Sequence, residues 1–413
     1  MRKIFHPYHK IIYFFILFLI SNSCSAQPDH SKKKSAEAKG IITGADQPEA
    51  YLPYLKGKNV GMLVNPTSII GKTSLVDSLV KLNIHIIRIF GPEHGFRGDA
   101  SAGLEVNDTI DSNTGIPVIS LYGKKTRPSK DDLRGIDIMI FDIQDVGVRF
   151  YTYINMLKYI METCAENNIE LMILDRPNPN GFYVDGPVLD MKLKSGIGIF
   201  PIPILHGMTI AEFARMINGE GWLSGGLKCN LRIIKLKNYT HDLPYQVPVP
   251  PSPNLNTQQS ILLYPSLCLF EGTVISQGRG TRFPFTVLGN PLLKDKYSFS
   301  FIPVSMKGMS ETPLFQDQIC YGLDLRKYDT NQFRNTKQLN LNWLKEIYQA
   351  YPHKEKFFDF TQSKQMGNFD KLSGSTSLKE QIIAGKSEAE IRKSWEPELG
   401  LYKEMRKKYL LYP

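Results

Sequence analysis

From Lys58 onward the chain alternates short, almost continuously apolar runs with amphipathic stretches of helical spacing, and this rhythm constrains the fold more than any other feature. A run such as Asn59–Val64 is too short for a helix and too uniformly apolar for a sheet with one wet face. It reads as a strand of a mainly parallel sheet covered on both sides by helices. Strands are expected at Asn59–Val64, Ile84–Phe90, Val118–Leu121, Ile136–Phe141, Leu171–Leu174 and Leu231–Leu236. Helices are expected at Thr73–Leu82 and Tyr153–Glu166. A third should start at Thr209, where Thr209-x-x-Glu212 has the capping-box spacing.

The proline-rich run Pro244 to Pro253 can be neither helix interior nor central strand, and it reads as an extended crossing segment. The chain changes character there. Leu262–Leu269 and Phe283–Leu288 lean towards strand, while Trp343–Tyr351, Ser377–Ile383 and Glu388–Trp395 have helical spacing. The expected architecture is α/β: a Rossmann-like, mainly parallel sheet domain over residues 46–255 and a smaller α+β domain over 256–413.

At the other end, Arg2, Lys3 and Lys10 precede the apolar run Ile11 to Ile20, which fits a signal peptide over residues 1–26 better than a spanning helix. Two processing routes compete. Ser23-Cys24-Ser25 resembles a lipoprotein box that would leave Cys24 lipidated, and Cys24-Ser25-Ala26 resembles a cleavage site ahead of Gln27. A flexible tether is expected over residues 27–45. Removing residues 1–26 takes away three cationic side chains and no acidic ones, so the net charge falls from +10 to +7. No Lys/Arg stripe interleaved with aromatics accompanies this excess, so nucleic acid is not an expected partner. Attraction to an anionic envelope polymer suits it better. Cys164, Cys229, Cys268 and Cys320 show no C-x-x-C spacing, and any disulfides among them could pair in three ways.

Ligands of open α/β sheets bind outside the carboxyl ends of the strands, so the polar clusters there are the place to look for chemistry. The strand ending at Phe90 runs into Gly91-Pro92-Glu93-His94-Gly95, the one ending at Phe141 into Asp142-Ile143-Gln144-Asp145, and the one ending at Leu174 into Asp175-Arg176-Pro177-Asn178. An acidic residue thus recurs one to three positions beyond three strands. Asp and Asn also cap helices and make turns, which is the bland reading of any one of them. Glu93 is different, since Glu favours neither role and its loop is rich in glycine.

Several familiar sites are excluded by spacing. No G-x-G-x-x-G exists, because Gly278-x-Gly280 meets Phe283 at the third position, so no nicotinamide or flavin cofactor is expected. Gly71-Lys72-Thr73 has Pro66 where a phosphate-binding loop needs glycine. No H-E-x-x-H pair and no G-x-S-x-G elbow is present, so neither a zinc site nor a serine nucleophile is expected. What is left is a carboxylate-rich cleft with Arg, His, Asn and Tyr around it, an inventory suited to a sugar.

The runs Phe90–Gly98, Phe141–Tyr153, Leu174–Pro179, His206–Thr209, Pro250–Asn254, Leu269–Thr273 and Gln277–Thr281, in this order, resemble the exo-β-N-acetylmuramidases of the NamZ type. The resemblance spans roughly residues 50–412. It implies a Rossmann-like domain and a smaller one with the site in the cleft between them. It also implies an exo-acting hydrolase that removes N-acetylmuramic acid from the non-reducing end of peptidoglycan fragments, in the periplasm or envelope. Glu93 lies in the family's Pro-Glu-His-Gly motif and is assigned the acid/base role, with Asp142, Asp145 or Asp175 as the second carboxylate. His94, Arg149, Arg176, Asn178, His206, Asn254 and Arg279 are carried over as substrate-binding groups, joined by Tyr151 and by Glu271 from the opposite domain. The rival reading is a non-catalytic two-domain envelope lipoprotein that captures muropeptides or sugars between its lobes. Acidic residues at several strand ends favour hydrolysis, since capture of an acid sugar gains nothing from so many carboxylates.

Overall fold

The computed structural model describes residues 40–93, 95–98, 107–123, 125–359 and 368–413. In chain order the first strands are β1 (Val60–Val64), a small hairpin of β2 (Ile69–Ile70) and β3 (Thr73–Ser74), β4 (Ile86–Gly91), β5 (Thr109–Ile110) and β6 (Pro117–Ser120). They are followed by β7 (Ile138–Asp142), β8 (Glu170–Leu174) and β9 (Leu231–Ile234). All but the hairpin join one sheet in the order β5-β6-β4-β1-β7-β8-β9, parallel throughout except where β5 pairs with β6. Apart from that edge strand, the chain lays β1, β4 and β6 outward on one side, then crosses to lay β7, β8 and β9 on the other. This is the doubly wound order, and its switch point lies between β1 and β7.

The apolar runs explain the layering. β1 and β7 are buried at every position. Val60, Met62, Val64, Ile138 and Ile140 face one core with Tyr51 and Leu55 of α1 (Pro48–Leu55) and Leu75 and Leu79 of α2 (Leu75–Lys81). Leu63, Met139 and Phe141 face the other, with α3 (Tyr153–Glu166) and α4 (Ile210–Gly219). Two-residue periodicity thus feeds both faces of a sheet whose strands show no polar alternation. The Thr209 capping box forms as expected, with the Thr209 side chain accepting from the Glu212 N–H.

Beyond the proline-rich run come α5 (Gln258–Leu267) and a sheet of β10 (Val287–Asn290), β11 (Phe299–Phe301) and β12 (Cys320–Asp324) in the order β10-β12-β11. The helices α6 (Asn331–Thr336), α7 (Asn342–Ala350), α8 (Phe369–Ser373), α9 (Ser377–Ile383) and α10 (Glu388–Lys407) complete it. The strand expected at Leu262–Leu269 is instead helix, started by a capping box of Thr257 and Ser260. Ile261, Leu263, Tyr264 and Leu267 are all buried, so the run has no polar face to betray its period. The helix expected at Glu388–Trp395 continues past Pro397 to Lys407.

One apolar cluster runs from Val146, Val148 and Phe150 through α5 to Trp395 and Leu399, and everything from Gly40 to Pro413 forms one compact unit. Of the expected tether, residues from Ile42 onward are built into the fold, where Ile42 pairs with Lys237 and Gly44 donates to the Asp175 carbonyl. The signal segment lies outside the described residues. Cys164, Cys229, Cys268 and Cys320 are buried free thiols, so none of the three disulfide pairings is formed.

Candidate active site at the carboxyl edge of the sheet

The loops that leave β1, β4, β6 and β7 bring Asn65, Glu93, Tyr122 and Asp145 to the switch-point side of the sheet. The β1 and β7 loops are stitched together: Asn65 Oδ1 accepts from the Thr67 N–H at 3.0 Å, and Thr67 Oγ1 accepts from the Gln144 N–H at 3.0 Å. Asn65 Nδ2 donates to the Tyr153 hydroxyl at 3.1 Å. Tyr153 lies 5.0 Å edge-on from Tyr151, and Tyr151 Oη donates to the Pro251 carbonyl at 2.8 Å. The proline-rich crossing segment is therefore tied to this edge.

Electrostatics locate the two acids relative to these tyrosines. Burial raises the Tyr151 and Tyr153 hydroxyls above their ordinary range, and the negative charges of Glu93 and Asp145 raise both further. Two carboxylates from different strands thus bear on one pair of hydroxyls. A third tyrosine, Tyr122, is hydrogen-bonded to Glu93, and burial together with that carboxylate pushes it up to about 12.

Asp145 is held at one oxygen and unpaired at the other. Its Oδ2 accepts from the Gly147 N–H at 2.6 Å and lies 3.4 Å from His206 Nε2, while its buried Oδ1 has no partner among the described residues. His206 Nδ1 accepts from the Met208 N–H at 3.3 Å, which puts the ring proton on Nε2, facing Asp145. Gly147 must be glycine: its φ is +81°, and a Cβ there would lie 2.3 Å from Asn178 Oδ1. Asn178 is fixed in turn, with Nδ2 donating to the Met208 carbonyl at 2.9 Å and Oδ1 accepting from the Asn180 N–H at 2.8 Å.

The other acids singled out from the sequence sit in closed arrangements. Asp142 is fully buried and grips Arg176 through two bonds of 2.5 and 2.8 Å; burial raises its pKa against the pull of that guanidinium. Arg176 also donates to the Ile69 carbonyl at 3.0 Å. Asp175 accepts from the Ala211 N–H at the start of α4 at 3.0 Å and from Tyr412 Oη at 2.7 Å, and burial raises it to about 7. Glu271 pairs with Arg279 at 2.6 and 2.9 Å.

Arg149 is wholly enclosed, its two terminal nitrogens donating to the carbonyls of Pro187, Ile202 and Leu372 at 2.8–2.9 Å, and burial lowers its pKa to about 9. Asn254 is buried, with Nδ2 on the Met309 carbonyl at 2.9 Å and Oδ1 unpartnered among the described residues. His94 lies outside the described residues. Among the sequence candidates, then, Glu93, Asp145, Tyr151 and His206 come together. Tyr153, paired with Tyr151 at the helix start, joins them, as do Asn65 and Tyr122, which were not singled out although each follows a strand end. Among the described residues, no three His, Cys, Asp or Glu side chains converge as a metal-binding group.

Known proteins share both the architecture and the sequence. The N-terminal domain model of the exo-β-N-acetylmuramidase NamZ matches residues 60–259, and its C-terminal domain model matches residues 262–412. The peptidoglycan β-N-acetylmuramidase NamZ of Bacillus subtilis strain 168 is 40% identical over 417 residues, which cover 96% of this chain and 97% of that protein. Crystal structures of two DUF1343 family proteins from Bacteroides fragilis align with TM-scores of 0.82 and 0.76, at 43% and 30% identity. Each alignment covers 90% of this chain and 99% of the other. Matched by both domain models, and by a relative along nearly its whole length, the chain belongs to the NamZ family of exo-β-N-acetylmuramidases.

Proposed function

We propose that the chain is an exo-acting glycoside hydrolase that releases N-acetylmuramic acid from the non-reducing ends of peptidoglycan fragments. The observation that carries the catalytic assignment is that the charges of Glu93 and Asp145, from different strand-end loops, both bear on the Tyr151–Tyr153 hydroxyls, while Asp142, Asp175 and Glu271 are occupied by other partners. Glycoside cleavage needs an acid for the leaving oxygen and a second carboxylate facing the reacting sugar. Glu93, held by Tyr122, takes the acid/base role. Asp145 takes the second, since its buried Oδ1 has no partner among the described residues and its orientation is fixed by Gly147 and His206. Recognition of the lactyl carboxylate does not fall to Arg176 or Arg279, whose charges are already paired, nor to the enclosed Arg149.

The place of action is the cell envelope: residues 1–26 direct export, and the mature chain keeps a net charge of +7, suited to an anionic polymer. Mass spectrometry of the mature N-terminus distinguishes a lipid anchor on Cys24 from cleavage ahead of Gln27.

The decisive assay measures free N-acetylmuramic acid released from the disaccharide MurNAc–GlcNAc, with GlcNAc–MurNAc as control. Wild type should act on the first only. Glu93→Gln and Asp145→Asn should each abolish release while melting as wild type does. Wild-type turnover by either variant refutes its assignment, and no release by the wild type refutes the activity.

A further inference from the structure

A second cavity, of about 420 Å³, opens between α6, α7 and the first turns of α10, on elements that contribute nothing to the cluster around Glu93 and Asp145. That volume falls within the range of small-ligand sites. Apart from Glu388 and Arg392, its polar wall is neutral and rich in hydrogen-bonding groups: Tyr328, Gln332, Thr336, Gln338, Asn340 and Asn342. Gln338 and Asn342 make no side-chain hydrogen bond with any described residue. Gln332 accepts at its side-chain oxygen from Tyr328 Oη at 2.7 Å, and its amide N–H groups donate to no described residue. The Tyr328 ring is fixed by edge-on packing against Trp343 at 4.9 Å and by Phe333 at 5.8 Å. Free amides beside a fixed aromatic ring match an acetamido group and the C–H face of a pyranose.

The cavity's ionic groups narrow the choice further. Arg392 is the cation in its lining, and its guanidinium is consumed by Glu388 at 2.6 and 3.0 Å, by Asp185 at 2.6 Å and by the Leu339 carbonyl. Two carboxylates against one guanidinium leave a negative balance, which disfavours a lactyl or peptide carboxylate and favours a neutral sugar. Asp185 also accepts from the Leu339 N–H at 2.7 Å, and its backbone pairs with Leu205, which precedes His206. The cavity wall is thereby fastened to the segment that orients Asp145.

We propose that this cavity is a second saccharide site, separate from the catalytic cleft, that takes an uncharged N-acetylhexosamine unit of a glycan strand. That the glycan is peptidoglycan rests on the activity proposed above; the chemistry of the cavity does not. A strand held here raises the concentration of its chain end at the cleft, which helps polymeric substrate and leaves a disaccharide unaffected.

The probe is chitotetraose, a neutral β-1,4-linked N-acetylglucosamine tetramer, titrated calorimetrically into the purified full chain. Gln338→Arg fills the cavity with a charged side chain, and the double variant Gln332→Ala/Asn342→Ala removes its free amides. All three positions are exposed, so the fold tolerates them. Saturable binding that weakens roughly tenfold or more in both variants is the expected result, with MurNAc–GlcNAc turnover unchanged and release from insoluble peptidoglycan reduced several-fold. No saturable binding to the parent, or binding unchanged in both variants, overturns the proposal, as does an equal loss of disaccharide turnover. Absence of disaccharide turnover in the parent would instead remove the proposed activity, and the chitotetraose titration would still decide the cavity.

Discussion

Asp175 offers the sharpest separation of architecture from catalysis, because its carboxyl group titrates inside the fold. It is fully buried at the head of α4, and burial lifts it from 3.8 to about 7 against hydrogen bonds from Tyr412, Thr209 and the Ala211 N–H, with Glu212 raising it further. The folded chain therefore holds this proton more tightly than the unfolded chain. The resulting stabilisation is complete below about pH 3.8 and disappears as pH climbs through about 7. Some three pKa units at ~1.36 kcal/mol each make this on the order of 4 kcal/mol.

Asp175→Asn removes the titration. Its Oδ1 can still accept from Ala211, but the Tyr412 hydroxyl loses its acceptor, a cost of about 1 kcal/mol. The variant should start less stable than wild type at pH 4 and gain on it steadily to pH 8, measured by urea unfolding at half-unit intervals. MurNAc–GlcNAc turnover at pH 7 should stay within a few-fold of wild type. A stability difference that is flat with pH would refute the buried-carboxyl argument. Loss of turnover with unchanged stability would return Asp175 to the catalytic machinery.

Two further substitutions test the scaffold around Asp145. Gly147→Ala forces a side chain into left-handed backbone and onto Asn178 Oδ1, so it should cost about 2–3 kcal/mol and lower turnover as Asp145 loses its clamp; a variant with wild-type melting and turnover would contradict this. Arg149→Met strands the Pro187, Ile202 and Leu372 carbonyls at roughly 1–3 kcal/mol each, and thermal melting should fall sharply, with Arg149→Lys intermediate. Equal melting of Arg149→Met and wild type would show that the strut carries no stability.

The main sheet was legible because strands buried on both faces carry a signal that does not depend on period. α5 was not, since full burial erases the helical period as thoroughly as it erases the strand's. Chain geometry placed Glu93, Asp142, Asp145 and Asp175: each lies at or just beyond the carboxyl end of a parallel strand. Which acid is open depended on partners that no local pattern predicts. Arg176 reaches Asp142 across 34 residues and Tyr412 reaches Asp175 across 237. Asn65 and Tyr122 obey the same strand-end rule as the acids, but a single amide or phenol beside a strand is too common to stand out.

The Arg149 strut bears on how sugar enters and leaves. Proteins that trap ligands by clamshell closure have lobes joined by a seam that parts readily, and the closing stroke times each cycle. Here the Arg149 guanidinium, grown from the β7 loop, is bonded to Leu372 of α8, and a single apolar cluster continues across the same junction. Opening it would strip a cation of its acceptors and wet a core. A closing stroke across this junction would carry that cost at every turnover, a cost that a site built between elements already fastened together avoids.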